Sequence, residues 1–174
     1  GDSRLRIYLY HIPPVAQVSI SLALIERLLK AYPTAIAGIK DSSGDWNNTE
    51  AMLKQFQPEG FDVFAGSEVF LLRTLRAGGA GCITATGNVN PAPMVALYKS
   101  WQAADADAQQ AALDGTRTAF QTYAMIPAMK AAVARYSQHS AWRTVRPPLV
   151  KLTQEQEAAL FESLDAIGFQ MPGL

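Results

Sequence analysis

The chain has 174 residues, 49% of them hydrophobic, and its 15 basic and 15 acidic side chains cancel to zero formal net charge. That composition is globular, long enough for one sizeable core and short of two comfortable domains. The balanced charge and the lack of any basic cluster exclude the electrostatic footprint of a nucleic-acid binder. Cys82 is the sole cysteine, which rules out an internal disulfide and fits a reducing, cytoplasmic setting. No apolar run approaches a membrane span and no secretory leader is read. The chain does not start with methionine, so Gly1-Asp2-Ser3 reads either as an expression remnant or as the interior of a longer product.

Along the chain, strands and helices alternate. Arg6–Tyr10 has strand composition, and Ser19 or Ser21 caps a helix that carries Leu22, Ile25, Leu28 and Leu29 on one face. Pro33 ends it, and Ala35–Lys40 is the next strand. A second helix starts at Asn47 or Asn48, turns Met52, Leu53 and Phe56 inward, and closes at Pro58 and Gly60. Asp62–Ala65 is the third strand, followed by a helix over Val69–Ala77 that Gly78-Gly79 stops. Gly81–Thr84 is the fourth strand. Asn90-Pro91 then supplies an N-cap and a first-turn proline to a helix over Pro91–Ala104. Four strand–helix units in succession predict an α/β fold with a parallel sheet and right-handed crossovers.

Beyond Ala104 the pattern is helical: Ala106–Thr122, Pro127–Tyr136, an irregular stretch with Pro147-Pro148, and a last helix. The capping box Thr153-x-x-Gln156 opens that helix, with Leu160, Phe161, Leu164 and Ile167 on its buried face and Gly168 at its end. No linker or low-complexity tract intervenes. The expected organisation is residues 1–104 as a strand–helix part and 105–174 as a helical extension, packed into one compact unit.

Polar candidates gather at the C-terminal ends of the strands: Tyr10, Lys40 with Ser42, Ser67 with Glu68, and Thr84. Parallel α/β sheets and barrels keep their sites at that end. Lys40 closes an apolar strand and opens into Asp41-Ser42-Ser43-Gly44-Asp45, a frequent setting for a carbonyl-attacking lysine. Only about one lysine in 2,500 is neutral at pH 7 with the ordinary pKa, so such a nucleophile needs burial to lower it. A surface lysine capping a strand has the same local signature; the clustering of polar groups at one rim favours the nucleophile. Tyr10 is either an interior aromatic or a phenol that shuttles protons. His11 and His139 lie far apart and the carboxylates show no ligand spacing, so no metal is expected. Asp41 and Asp45 read as caps of the following turn. A phosphate cradle at Gly78–Gly81 and Gly87-Asn88 lacks a following cation, and tight turns account for those glycines.

Four segments, in order and at matching spacing, resemble the second half of the dihydrodipicolinate synthase / N-acetylneuraminate lyase family. They are Tyr10-His11-Ile12-Pro13, Gly38-Ile39-Lys40-Asp41-Ser42-Ser43-Gly44-Asp45, Phe64-Ala65-Gly66-Ser67 and Gly78-Gly79-Ala80-Gly81-Cys82-Ile83. Pro127-Ala128-Met129-Lys130 and Val145-Arg146-Pro147-Pro148-Leu149 resemble its C-terminal helices. The resemblance implies a (β/α)8 barrel of which this chain is about the second half, four parallel strands plus C-terminal helices. It implies a Schiff-base aldolase or lyase acting on pyruvate or a sugar-derived 2-oxo acid, working without a cofactor. By the same resemblance Lys40 forms the imine and Tyr10 relays protons. Ser42, Gly66, Ser67 and Glu68 face the distal part of the substrate, and Ile83 lines the barrel near the lysine. A homo-oligomer, a tetramer in the family, or association with a missing N-terminal half is the expected assembly.

Three departures qualify this. Val15 stands where the synthase branch places an arginine that grips a dicarboxylic ligand, which disfavours 4-hydroxy-tetrahydrodipicolinate synthase, the alternative activity. His11 replaces a usual asparagine; strand alternation points it away from Tyr10, so a packed, hydrogen-bonded role is expected. The Gly-Gly-Ser/Thr-Thr-Gly-Glu loop that binds the 2-oxo acid carboxylate has no counterpart, and a full barrel needs about 250 residues. A reading of a different class is therefore a non-catalytic half-barrel fragment with exposed strand edges.

Overall fold

The computed structural model describes Asp2 and residues 4–173, which divide into two compact units, one ending at Thr84 and the other beginning at Ala85. The first unit is built on four parallel strands, β1 (Ile7–His11), β2 (Ile36–Asp41), β3 (Asp62–Ala65) and β4 (Gly81–Cys82), hydrogen-bonded in sequence order. All four lie where the sequence places them. β1 and β2 each begin and end one residue later than expected, and β4 is two residues shorter, because Thr84 leaves the ladder.

Helices α1 (Pro13–Ala16) and α2 (Leu22–Ala31) follow β1, α3 (Trp46–Phe56) follows β2, and α4 (Leu71–Arg76) follows β3. Ser21, one of the two serines considered, caps α2 by accepting from the Leu24 N–H at 3.2 Å. The cap of α3 is Asp45 rather than Asn47 or Asn48: its carboxylate accepts from the Asn47 N–H at 2.9 Å. A charged acceptor at a helix N-terminus also complements the helix dipole, which an amide does not. The helix expected over Val69–Ala77 begins as a tight 3-10 turn, Glu68–Phe70, capped by the Ser67 hydroxyl.

Period-two alternation sorts the strand residues onto two faces. Ile39 and Val63 pack with Ile25 of α2 and with Trp46, Met52, Leu53 and Phe56 of α3, all buried, while Leu9 lies against them. The opposite face carries two registered rows, Tyr8–Gly38–Asp62 and Tyr10–Lys40–Phe64.

In the second unit, α5 (Pro91–Ser100) packs against α6 (Ala106–Gln121). Together α6, α7 (Met125–Tyr136) and α8 (Gln154–Ala166) surround a core of Phe120, Ala128, Ala132, Leu160, Leu164 and Phe169. The expected break after Ala104 falls within this unit. α5 ends at Ser100, short of Ala104, and the Asn90 side chain makes no cap hydrogen bond. The capping box of α8 forms in full, with Gln156 N–H donating to Thr153 Oγ1 and Thr153 N–H to Gln156 Oε1. Ile167, expected on the buried face, is exposed, and Phe169 takes that place in the core. The helix stops at Ala166, and Gly168 at φ +65° turns the chain so that the Phe169 N–H reaches the Leu164 carbonyl.

Candidate active site

Parallel pairing puts Tyr10 directly beside Lys40, so a strand-end lysine and a strand-end phenol share one face. The Lys40 ammonium lies 4.1 Å from the centroid of the Tyr10 ring. Lys40 is half-buried and Tyr10 exposed on the open face of the sheet. The hydrogen bond from Lys40 holds the Tyr10 phenol below its ordinary pKa, assisted by the Ser42 hydroxyl and opposed by partial desolvation. A phenol biased toward phenolate beside an amine is suited to exchanging protons with it. Removing the cation in Lys40→Met raises the titration midpoint of Tyr10 toward that of free tyrosine. The tyrosinate absorbance, taken as a difference against Tyr10→Phe, reads the shift.

Ser42 is held by the loop that leaves β2. Its N–H donates to the His11 carbonyl at 2.7 Å, and the Gly66 N–H donates to the Asp41 carbonyl at 2.7 Å. A side chain at position 66 would meet the Ser42 hydroxyl and lie 2.7 Å from the Asp41 carbonyl oxygen, so glycine permits β3 to end against this loop. Tyr10, Lys40, Ser42 and Gly66 therefore come together. Ser67 spends its hydroxyl on the Val69 N–H, and Glu68 is buried, accepting from the Thr84 hydroxyl at 2.6 Å. Burial with a contribution from the Glu68 charge pushes the Cys82 thiol up to about 12, so this cysteine is no thiolate nucleophile. The Ile83 N–H pairs with the Ala65 carbonyl, and its side chain is exposed.

Behind the site, on the helix-covered face, His11 and Asp41 are both buried. His11 Nδ1 accepts from the Ile20 N–H at 3.0 Å and Nε2 lies 3.9 Å from Asp41 Oδ1, the packed role that alternation predicts. Asp41 accepts from the Ser43 N–H at 3.0 Å, Asn48 Nδ2 at 3.0 Å and the Thr49 hydroxyl at 2.7 Å. Asp41 is thus the turn cap that the sequence suggests, but it is also a buried hub, which the sequence reading missed. The signal was present: Asn48 and Thr49 fall seven and eight residues later, on the first turn of α3 facing back toward the loop. Also unforeseen is a brace one row below Lys40. The Tyr8 hydroxyl donates to Asp62 Oδ2 at 2.7 Å, and a Cβ at Gly38 would lie 2.7 Å from Tyr8 Cε1. Tyr8 also packs edge-on against Phe64 with ring centroids 5.9 Å apart.

No group of three or more metal-ligating side chains lies together among the described residues. No helix among them is long and apolar enough to cross a membrane.

A family model described as the dihydrodipicolinate synthetase family matches residues 2–167. The chain is 34% identical over 163 residues to an uncharacterized DapA-like lyase of Chloroflexus aurantiacus, an alignment covering 93% of this chain and 54% of that protein. Dihydrodipicolinate synthase from Agrobacterium tumefaciens matches with a TM-score of 0.79 at 30% identity, over 94% of this chain and 54% of that one. YagE, a prophage protein of Escherichia coli K12 solved in complex with pyruvate, matches with a TM-score of 0.83 at 26% identity, over 95% and 57% of the two chains. These neighbours are (β/α)8 barrels, and the four parallel strands described above belong to that architecture. The chain spans about half the length of the curated relatives it matches. With nearly its whole length matched and the strand order shared, the chain belongs to the dihydrodipicolinate synthetase family.

Proposed function

We propose that the protein containing this chain is a lyase or aldolase that forms a Schiff base between Lys40 and the carbonyl carbon of pyruvate or a sugar-derived 2-oxo acid. The observation that carries the reading is the Lys40 ammonium 4.1 Å from the Tyr10 ring at the C-terminal edge of a parallel sheet. In this scheme the neutral amine adds to the carbonyl and water leaves. The protonated imine then accepts the electron pair of the neighbouring carbon–carbon bond as it breaks, or that of the adjacent C–H bond as a base takes the proton. In the second case the enamine so formed expels the hydroxyl on the next carbon, which takes up a proton and leaves as water. Tyr10 moves the protons of carbinolamine formation and collapse. Ser42, Gly66, Ser67, Glu68 and Ile83 are the proposed surroundings of the substrate, with Ser42 the nearest to the reacting pair. Val15, on the exposed turn α1, offers no guanidinium for a second carboxylate. It supports a lyase, aldolase or dehydratase of a sugar-derived acid over the tetrahydrodipicolinate-forming activity named for several relatives.

Within this proposal residues 1–104 are the second half of the barrel and 105–174 its helical extension. The working form is a cytoplasmic homo-oligomer, and a first barrel half supplies the donors for the 2-oxo acid carboxylate.

Trapping with pyruvate and borohydride tests the reading. The parent protein is expected to gain one reduced pyruvyl adduct, mapped by peptide mass to Lys40. The 174-residue chain alone is expected to label poorly, because it lacks the walls that desolvate the amine and the donors that orient the acid. Labelling of another lysine, or none in the parent, would defeat the imine assignment.

A further inference from the structure

The second unit carries a groove of about 560 Å³ that takes no part in the proposed chemistry. One face of α7 lines it, since Ile126, Met129, Lys130 and Val133 recur at helical spacing, and Trp142 forms an opposing wall. The volume falls in the range of small-molecule sites, and the composition follows their pattern of an apolar bed with few polar groups. Ile126 and Trp142 remain 50% and 48% exposed, so the bed is open to solvent.

Lys130 is the one charged residue among those lining the groove. It is half-buried, with its ammonium 5.3 Å from the centroid of the Trp142 ring. Arg135 and Arg143, in the same unit, each have a carboxylate partner, Asp165 and Glu157. Among the described residues Lys130 has none. An indole face attracts a cation but accepts no strong hydrogen bond, so the three ammonium donors stay available. A cation of this kind at the rim of an apolar bed is the charge complement of an anion attached to an apolar body.

We propose that this groove binds a small amphipathic monocarboxylate, an aryl- or branched-alkyl-substituted acid. Its carboxylate pairs with Lys130, and its apolar part lies along Ile126, Met129 and Val133 against the edge of Trp142. None of its lining residues belongs to the proposed imine site, so the proposal stands whether or not the imine assignment does.

Calorimetric titration of the full chain with 3-phenylpropionate, and with the neutral 3-phenylpropionamide, tests it. The acid is expected to bind and the amide to bind at least about tenfold more weakly, the loss of one charge-assisted hydrogen bond. Lys130→Met is expected to weaken the acid by a similar factor, Lys130→Arg to keep affinity within a few-fold, and Lys40→Ala to change nothing. Absence of binding, equal affinity for acid and amide, or an unaltered affinity in Lys130→Met would overturn the proposal. So would loss of binding in Lys40→Ala, which would assign the acid to the imine site. The acid-against-amide comparison is made on the unaltered chain and decides the matter even if Lys130→Met fails to fold.

Discussion

Alanine in place of Lys40 is expected to remove turnover by the parent protein, by a factor on the order of 10⁴ or more, while leaving the fold in place. In the proposed scheme the amine supplies the covalent link and the electron sink together, and no neighbouring group replaces either. Tyr10 has a phenol and Ser42 a hydroxyl, neither of which forms an imine. The structural cost is small, because Lys40 is half-buried on the open face and makes no ion pair among the described residues. Its removal is expected to shift stability by no more than about 1 kcal/mol. Lys40→Arg separates two roles: it keeps a cation beside the Tyr10 ring but cannot condense with a carbonyl, and it too is expected to be inactive. Tyr10→Phe differs from both, lowering kcat by about 10²–10⁴ while borohydride trapping persists. Steady-state turnover with a 2-oxo acid substrate, alongside a thermal melt, reads all three variants. Activity retained in Lys40→Ala would end the mechanism.

The second large effect is on stability. Asp41→Ala is expected to destabilise the first unit by about 3–5 kcal/mol, the usual result of breaking a buried charged network by removing one partner. Three donors lose this acceptor together: the Ser43 N–H, the Asn48 amide and the Thr49 hydroxyl, the last 2% exposed and left with only the Asp45 carbonyl at 3.4 Å. Asp41→Asn keeps one acceptor oxygen but sets an N–H₂ against existing donors, so an intermediate loss is expected. Because Ser42 follows directly, the variant is also expected to lose catalysis in the population that stays folded. Urea unfolding followed by circular dichroism gives the stability, and an unchanged midpoint in Asp41→Ala would show that this hub does not hold the loop.

The pairing of Tyr10 with Lys40 was legible because it depends on two simple periodicities, strand alternation and the parallel register that successive strand–helix units impose. The same alternation correctly turned His11 inward. Where the sequence misled, competing local acceptors or chain reversals decided the outcome. Asp45, Asn47 and Asn48 are all good caps on composition, and only the backbone path selects Asp45. Ile167 continues the apolar period of α8 but lies past the last helical turn, so Gly168 redirects the chain and Phe169 fills the core. The Tyr8–Asp62 brace joins residues 54 positions apart, and no local pattern announces a contact of that separation.

That brace sets a depth limit. Tyr8 spans Gly38 to reach Asp62, so the layer beneath Lys40 is already filled and pinned at its far end by a 2.7 Å hydrogen bond. In the proposed scheme a molecule condensed on the lysine is expected to rest on this floor, with its short end downward and any additional carbons directed outward past the strand tips. Discrimination between short and long acids then belongs to the mouth, where loops tolerate insertion and exchange. A family that keeps such a floor is free to diversify its substrates by editing loops alone, with no repacking of the sheet.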